Sequence, residues 1–169
     1  MRRTRCRLKG FAYCGKHQYF LTLCTAERKA IFAEEQVASS IATQILHQAT
    51  AYLFAVPAYV FMPDHTHWLV EGLSDTSSLC SFVKMAKQKT GFAFRQRTGR
   101  FLWQESYYDT VIRNSVHSVD VIRYIVENPV RSGLATSPDE YPLWGSGTTS
   151  REEILMALSE HPRRAWTPA

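Results

Sequence analysis

The sequence predicts an α+β fold: an antiparallel sheet with its helices packed mainly on one face, in the order β-α-β-β-α-β-α of the split-βαβ kind. Three observations predict it. Runs rich in β-branched and aromatic residues alternate with runs whose apolar residues recur at helical spacing. A turn signal, Pro63-Asp64, separates two neighbouring strand-like runs. At 169 residues, 45% of them hydrophobic, the chain is long enough to bury one core and suggests one domain.

HQYFLTLCTAER, residues 17 to 28, reads as the first strand. Between about Phe32 and Ala51 the spacing of Val37, Ile41, Ile45 and Leu46 predicts a helix. Strands follow over Tyr52 to Phe61 and His65 to Glu71. Ser77 or Ser78 can cap a second helix, in which Leu79, Phe82, Val83, Ala86, Ala93 and Phe94 make one stripe and Lys84, Gln88 and Arg95 lie opposite. Phe101 to Gln104 and Tyr107 to Arg113 read as two more strands. Ser115 can cap a third helix that ends near Asn128-Pro129, because a residue before proline is pushed out of the helical region. Residues 1–136 are expected to carry the functional domain. The tail 137–169, with Pro138, Pro142, Gly145, Gly147 and the helical stretch REEILMALSE, either belongs to it or is flexible.

The longest mainly apolar stretch, LFAVPAYVFMP, falls short of the roughly 20 residues that span a bilayer. The basic N-terminus leads into no apolar h-region, so neither a signal peptide nor a transmembrane helix is expected and a cytoplasmic location is the default. Cys6, Cys14, Cys24 and Cys80 form no CxxC pair, which argues against a zinc ribbon and for reduced thiols. The net charge is +5. Twelve of the twenty basic side chains lie in two acid-free windows: Arg2, Arg3, Arg5, Arg7, Lys9 and Lys16, then Lys84, Lys87, Lys89, Arg95, Arg97 and Arg100. Such windows suit a surface that tracks phosphates, and equally a solvated face with a loose basic tail.

Within FMPDHTHWLV, side chains alternate faces, so His65 and His67 point the same way with alpha carbons about 6.7 Å apart. Two neutral imidazoles at that spacing can converge on one divalent ion. Two histidines bonded to surface groups at a strand end would look the same. Glu71 shares their face but lies about 13 Å from His67 along the strand, too far to join one ion. Asp64 faces the other side if the strand extends that far, so a third donor is expected from another element. In SVHSVDVIRYIVENPVRSGL, 100° steps gather Val119, Val121, Ile122, Ile125 and Val126 on one arc and Asp120, Arg123, Tyr124, Glu127 and Asn128 on the other. Tyr124 and Asn128 are an i, i+4 pair whose side chains can reach one spot. An amphipathic tyrosine covering the sheet is the plainer reading of this helix alone.

MPDHTHWLVEG resembles the His-hydrophobic-His signature of single-strand DNA endonucleases and transposases. RYIVENPVRSGL, preceded by FLWQESYYDTVIR, resembles the tyrosine-bearing end of REP-associated tyrosine transposases, relatives of the insertion-sequence-200-like transposases. The similarity runs from about His17 to Leu134, and the two motifs in this order are far more specific than either alone. One departure is Thr66, where a hydrophobic residue is usual. The resemblance implies a ferredoxin-like sheet with the two histidines on a central strand and the tyrosine on a helix packed across it. It makes His65 and His67 ligands of Mg²⁺ or Mn²⁺, Asn128 the third ligand, and Tyr124 the nucleophile that forms a 5′-phosphotyrosine and frees a 3′-hydroxyl. The implied substrate is single-stranded DNA with hairpin repeats, and relatives work as monomers or homodimers.

Arg113, Arg123 and Arg131 are placed to hold phosphates near the tyrosine. Arg2, Arg3, Arg5, Arg7, Lys84, Lys87 and Trp103 complete the expected DNA-contacting set, Trp103 as a base-stacking platform. Tyr107 and Tyr108 are rival nucleophiles, but residues four further on, Val111 and Ile112, offer no amide. Two other functions compete: a non-catalytic nucleic-acid-binding module on the same fold, and a metal-dependent hydrolase using Glu71 or Glu127 as a base.

Overall fold

Among the described residues, five strands form one sheet in the order β4-β1-β3-β2-β5, each neighbouring pair antiparallel. They are β1 (Gln18–Cys24), β2 (Phe54–Met62), β3 (His65–Gly72), β4 (Tyr108–Ile112) and β5 (Trp144–Gly145). The helices are α1 (Glu35–Ala51), α2 (Leu79–Thr98), α3 (Ser118–Val126), α4 (Asn128–Arg131) and α5 (Arg151–Glu160). The computed structural model describes residues 10–113 and 118–168. Arg2, Arg3, Arg5 and Arg7, Cys6, and the expected cap Ser115 lie outside the described residues. Within them, Cys14, Cys24 and Cys80 are free thiols, and no helix is long and apolar enough to cross a membrane.

The α+β class is as expected, and the strand order places β3, the histidine strand, at the centre of the sheet between β1 and β2. Alternation sorts β3 into two sets. Thr66, Trp68 and Val70 face α1 and α2, where they join Tyr19, Leu21, Leu23, Phe61, Ile41, Ile45, Phe82 and Val83 in the larger core. Leu69 faces the opposite way, toward Phe20, Val60, Met62 and the apolar arc of α3, with Ile154 and Leu158 of α5. The two long helices thus share one face, and α3 and α5 cover part of the other. The Thr66 hydroxyl, buried among apolar groups, donates to Val60 O at 2.6 Å, so the departure at this position leaves no unpaired polar group.

Local chemistry explains the ends of the elements. Ser78 caps α2, its Oγ accepting from Ser81 N, and Gly99 (φ 71) closes the helix in the left-handed region while its amide donates to Arg95 O. Gly72 ends β3 against the loop before β1. A Cβ there would stand 2.1 Å from Gly15 O. Pro57 falls in a bulge of β2, between residues that pair in different registers, which is how a proline fits an inner strand.

Three expectations shift. The first strand ends at Cys24, because Thr25 turns the chain into a short 3₁₀ segment. Phe101 to Gln104 forms only an isolated bridge, Trp103 with Thr25. The third helix breaks at Glu127, not at Asn128; Pro129 then sits in the first turn of α4, where its missing N–H costs nothing. The tail contributes β5, which pairs with β2, and α5, whose Ile154 and Leu158 are buried.

Candidate active site

The register of the sheet puts Thr22 beside His67 and Cys24 beside His65, with Tyr108 across β1 beside Thr22. All face the side occupied by α3. There an open groove of about 660 Å³ is lined by His65, His67, Tyr124 and Asn128, together with Thr22, Cys24, Arg28, Gln104, Tyr108 and Ser132. The two imidazole centroids are 4.7 Å apart, and the His67 and Tyr124 rings are 6.0 Å apart. Phe20 supports both, stacked on His67 at 5.0 Å and edge-on to Tyr124 at 5.6 Å. The four residues expected at the metal and the nucleophile therefore share one groove, although Tyr124 follows His67 by more than fifty positions.

Each imidazole is oriented through Nδ1. His65 Nδ1 lies 2.6 Å from Asp64 Oδ1. A carboxylate only accepts, so Nδ1 carries a proton and Nε2 is the nitrogen left to face the groove's other ligands. His67 Nδ1 lies 2.9 Å from Thr22 Oγ1, a hydroxyl that can accept in the same way. Burial first, then repulsion by His65, Arg131 and Arg28, pushes the His67 pKa from 6.5 down to about 3, so this imidazole is neutral at neutral pH. Asp64 was expected to face away if the strand reached it. The strand starts at His65 instead, and the free turn lets the carboxylate fold back onto that residue.

Two imidazoles with outer partners on Nδ1 are a donor pair suited to a divalent cation. Among the described residues no group of three His, Cys, Asp or Glu could hold a metal. Among these residues a candidate third donor of another type is the amide of buried Asn128, which lines the same groove. Such a set leaves open positions for solvent and a phosphate oxygen.

The expected DNA contacts divide. Arg131 lies over the Tyr124 ring, its guanidinium carbon 4.3 Å from the centroid, and donates to Tyr124 O. Arg113 is exposed just after β4. Arg123 is turned inward: it is buried, donates to Leu158 O at 2.6 Å and His161 O at 2.9 Å, and faces Glu127, so its guanidinium ties α3 to α5. Lys87 donates to three carbonyls, Gln104, Glu105 and Ser106, at 2.6, 3.1 and 3.0 Å. Trp103 donates to Thr90 Oγ1 at 2.8 Å and packs on Phe32, within the core under α2. Lys84 is exposed on α2, on the far side of the sheet from the groove. The polar arc of α3 predicts exposure for Arg123; the returning C-terminal segment covers that arc, which a helical wheel cannot show.

Thr22, Arg28, Gln104 and Trp166 are not among the expected site residues, yet the fold brings them to the site. Trp166 packs edge-on against Tyr124 at 5.3 Å and Phe20 at 5.1 Å. Thr22 carried a signal, being a polar residue inside an apolar strand. Of the bases a hydrolase would use, Glu71 accepts from Gln18 and Glu127 faces Arg123, Arg131 and Arg163, and neither lines the groove.

A family model described as "Transposase IS200 like" matches residues 14–128. By structure, the chain is similar to a REP-associated tyrosine transposase bound to a REP hairpin, with TM-score 0.69 and 19% identity over 92% of this chain and 88% of that one. It is also similar to a candidate transposase from Deinococcus radiodurans R1, with TM-score 0.51 and 24% identity over 72% of this chain and 97% of that one. An uncharacterized protein of Haemophilus influenzae (strain ATCC 51907 / DSM 11121 / KW20 / Rd) is 20% identical over 155 residues, 73% of this chain and 86% of its own.

Proposed function

The chain belongs to the IS200-like transposase family, and we propose that this transposase cuts and rejoins single-stranded DNA, at hairpin-forming repeats, through a covalent link to Tyr124. The observation that carries the proposal is the 6.0 Å approach of the Tyr124 ring to His67 in the groove that also holds His65 and Asn128. The hairpin in the structural neighbour supports the choice of substrate.

In the proposed step the Tyr124 phenolic oxygen attacks phosphorus, the bond between phosphorus and the 3′-oxygen breaks, and the phenol proton is lost as the departing oxygen gains one. The product is a 5′-phosphotyrosine and a free 3′-hydroxyl. The reverse attack, by that hydroxyl or another, reseals or transfers the strand, with no net loss of phosphodiester bonds and no need of ATP. A free phenol has a pKa near 10 and is a weak nucleophile at neutral pH, so the groove must lower the barrier at the phosphate.

His65, His67 and Asn128 would hold a divalent cation. When bound, Mn²⁺ or Mg²⁺ supplies Lewis-acid polarisation of a phosphate oxygen. Two nitrogen donors favour Mn²⁺ over Mg²⁺, which prefers oxygen ligands. Asp64 and Thr22 fix the imidazoles, Phe20 fixes the spacing of His67 and Tyr124, and Arg131 braces the phenol ring from its other side. The binding-module reading explains basic charge but assigns no task to an oriented histidine pair beside a tyrosine.

The test is incubation with hairpin-bearing single-stranded oligonucleotides and Mn²⁺, followed by a denaturing gel. Wild type should give a protein–DNA band that Tyr124→Phe lacks while still binding the hairpin. Adduct from Tyr124→Phe, or binding by wild type with no cleavage, contradicts the proposal.

A further inference from the structure

We infer that Arg28 is a further catalytic residue of this site, its guanidinium contacting a non-bridging oxygen of the phosphate that Tyr124 attacks; this rests on the reaction proposed above. Arg28 lines the groove with His65, His67 and Tyr124 although it belongs to neither motif. Its Nε bonds to Asp64 Oδ2 at 2.9 Å, while the other oxygen of that carboxylate holds His65. Its Nη1 donates to Cys24 Sγ at 2.9 Å. A guanidinium has five N–H donors in a rigid fork. Among the described residues those two contacts are all it makes, which leaves three donors for an anion, in a side chain about half exposed to the groove.

The backbone shows that this placement is imposed. Glu27 and Arg28 have φ of 56° and 55°, two consecutive non-glycine residues in the left-handed region. Such a conformation persists only where the surroundings over-determine it, and it concentrates at functional sites. Here the buried Thr25 does so. Its amide donates to Asp64 O at 3.0 Å, and its hydroxyl lies 2.9 Å from Asp64 O and 2.7 Å from Lys29 O. Phe32 N donates to Pro63 O at 2.9 Å. The strained turn and the turn that launches His65 are thus one unit, and Asp64 aims an imidazole with one oxygen and a guanidinium with the other.

The remaining arginines of the site are less suited. Arg123 is spent on Leu158 and His161 carbonyls, and Arg131 lies flat on the Tyr124 ring with Glu127 beside it. A planar fork held at its inner edge by a carboxylate presents its outer edge to a second anion, the geometry in which arginine stabilises charge on a transferring phosphoryl group.

The experiment measures single-turnover formation of the Tyr124–DNA adduct in Mn²⁺ by wild type, Arg28→Ala, Arg28→Lys and Tyr124→Phe. Two substrates are used: one native, one with an uncharged methylphosphonate at the phosphate found linked to Tyr124. Removing one preorganised donor set should slow adduct formation by Arg28→Ala on the native substrate by about 100-fold or more. Hairpin affinity should stay within about 3-fold, because a contact made chiefly in the transition state barely changes ground-state binding. On the methylphosphonate, which has no oxyanion to neutralise, wild type and Arg28→Ala should react at rates within about 3-fold of each other. Arg28→Lys, which keeps the charge, should lie between the two on the native substrate and show its own deficit vanish on the neutral one. A native-substrate rate for Arg28→Ala equal to wild type, or a deficit of the same size on both substrates, overturns the inference; the latter assigns Arg28 to holding the turn. If wild type forms no more adduct than Tyr124→Phe, the reaction itself is refuted, and this role with it.

Discussion

His67 could serve as a ligand only through a free Nε2 lone pair, and Thr22, its Oγ1 2.9 Å from Nδ1, is the residue placed to accept from Nδ1–H and hold that tautomer. Thr22→Val keeps the branched shape and removes the partner. Outer-shell losses of this kind cost metal affinity about 10- to 100-fold, so titration calorimetry with Mn²⁺ should show a weaker site in this variant while circular dichroism stays unchanged. Chelation tests the same dependence from the other side: EDTA should stop adduct formation and leave hairpin binding in place, because binding relies on phosphate contacts spread over the basic surface. The shared face of His65 and His67 and the i, i+4 pairing of Tyr124 with Asn128 were legible from period; that strand and helix meet at one site was implied by the family resemblance alone. The partners of Thr22 and Arg28 were not legible. Nothing in a one-dimensional pattern tells that β1 pairs with β3 in the register that sets Thr22 against His67, or that the chain turns at Thr25 and swings Arg28 back into the groove.

At the scale of elements, the site depends on β3 holding its register, and the register is anchored at Gly72. The Gly72 amide donates to His17 O at 2.9 Å, and its α-carbon leaves no room for a methyl group against Gly15 O. Gly72→Ala should therefore lower stability by about 1–3 kcal/mol, as overpacking does, measured by urea denaturation. Helices and central strands followed from periodicity and capping, with Ser78 the one of the two expected serines that caps α2. The misread elements are short ones at edges. Phe101 to Gln104 has strand-like composition, but Trp103 is bonded to Thr90 and the loop that follows is clipped by Lys87, so only a single bridge to Thr25 forms. Packing overrode propensity there.

For the whole molecule, the sheet divides labour between its faces. One carries the larger core under α1 and α2; the other carries the groove, closed at one side by α3 and by the segment that returns after α5. Arg123 joins α3 to that segment, and the helical wheel, blind to what covers a polar arc, assigned it to DNA. Arg123→Ala should leave the buried Leu158 carbonyl and the part-buried His161 carbonyl without their charged donor and reduce stability by about 1.5–3 kcal/mol, seen as a lower melting temperature. Charge placement gives a second expectation. Arg131→Ala, at the groove, should weaken hairpin binding and shallow its dependence on salt, whereas Lys84→Ala, on the far face, should change both less in the same titration. The central claim is that the histidine strand and the tyrosine helix act on one phosphodiester. Proteolysis and mass spectrometry of the covalent complex formed on a hairpin oligonucleotide in Mn²⁺ test it most directly. The account predicts a nucleotide on the peptide containing Tyr124, absent when either His65 or His67 is replaced by alanine; a nucleotide on Tyr108, or adduct that survives loss of both histidines, would contradict it.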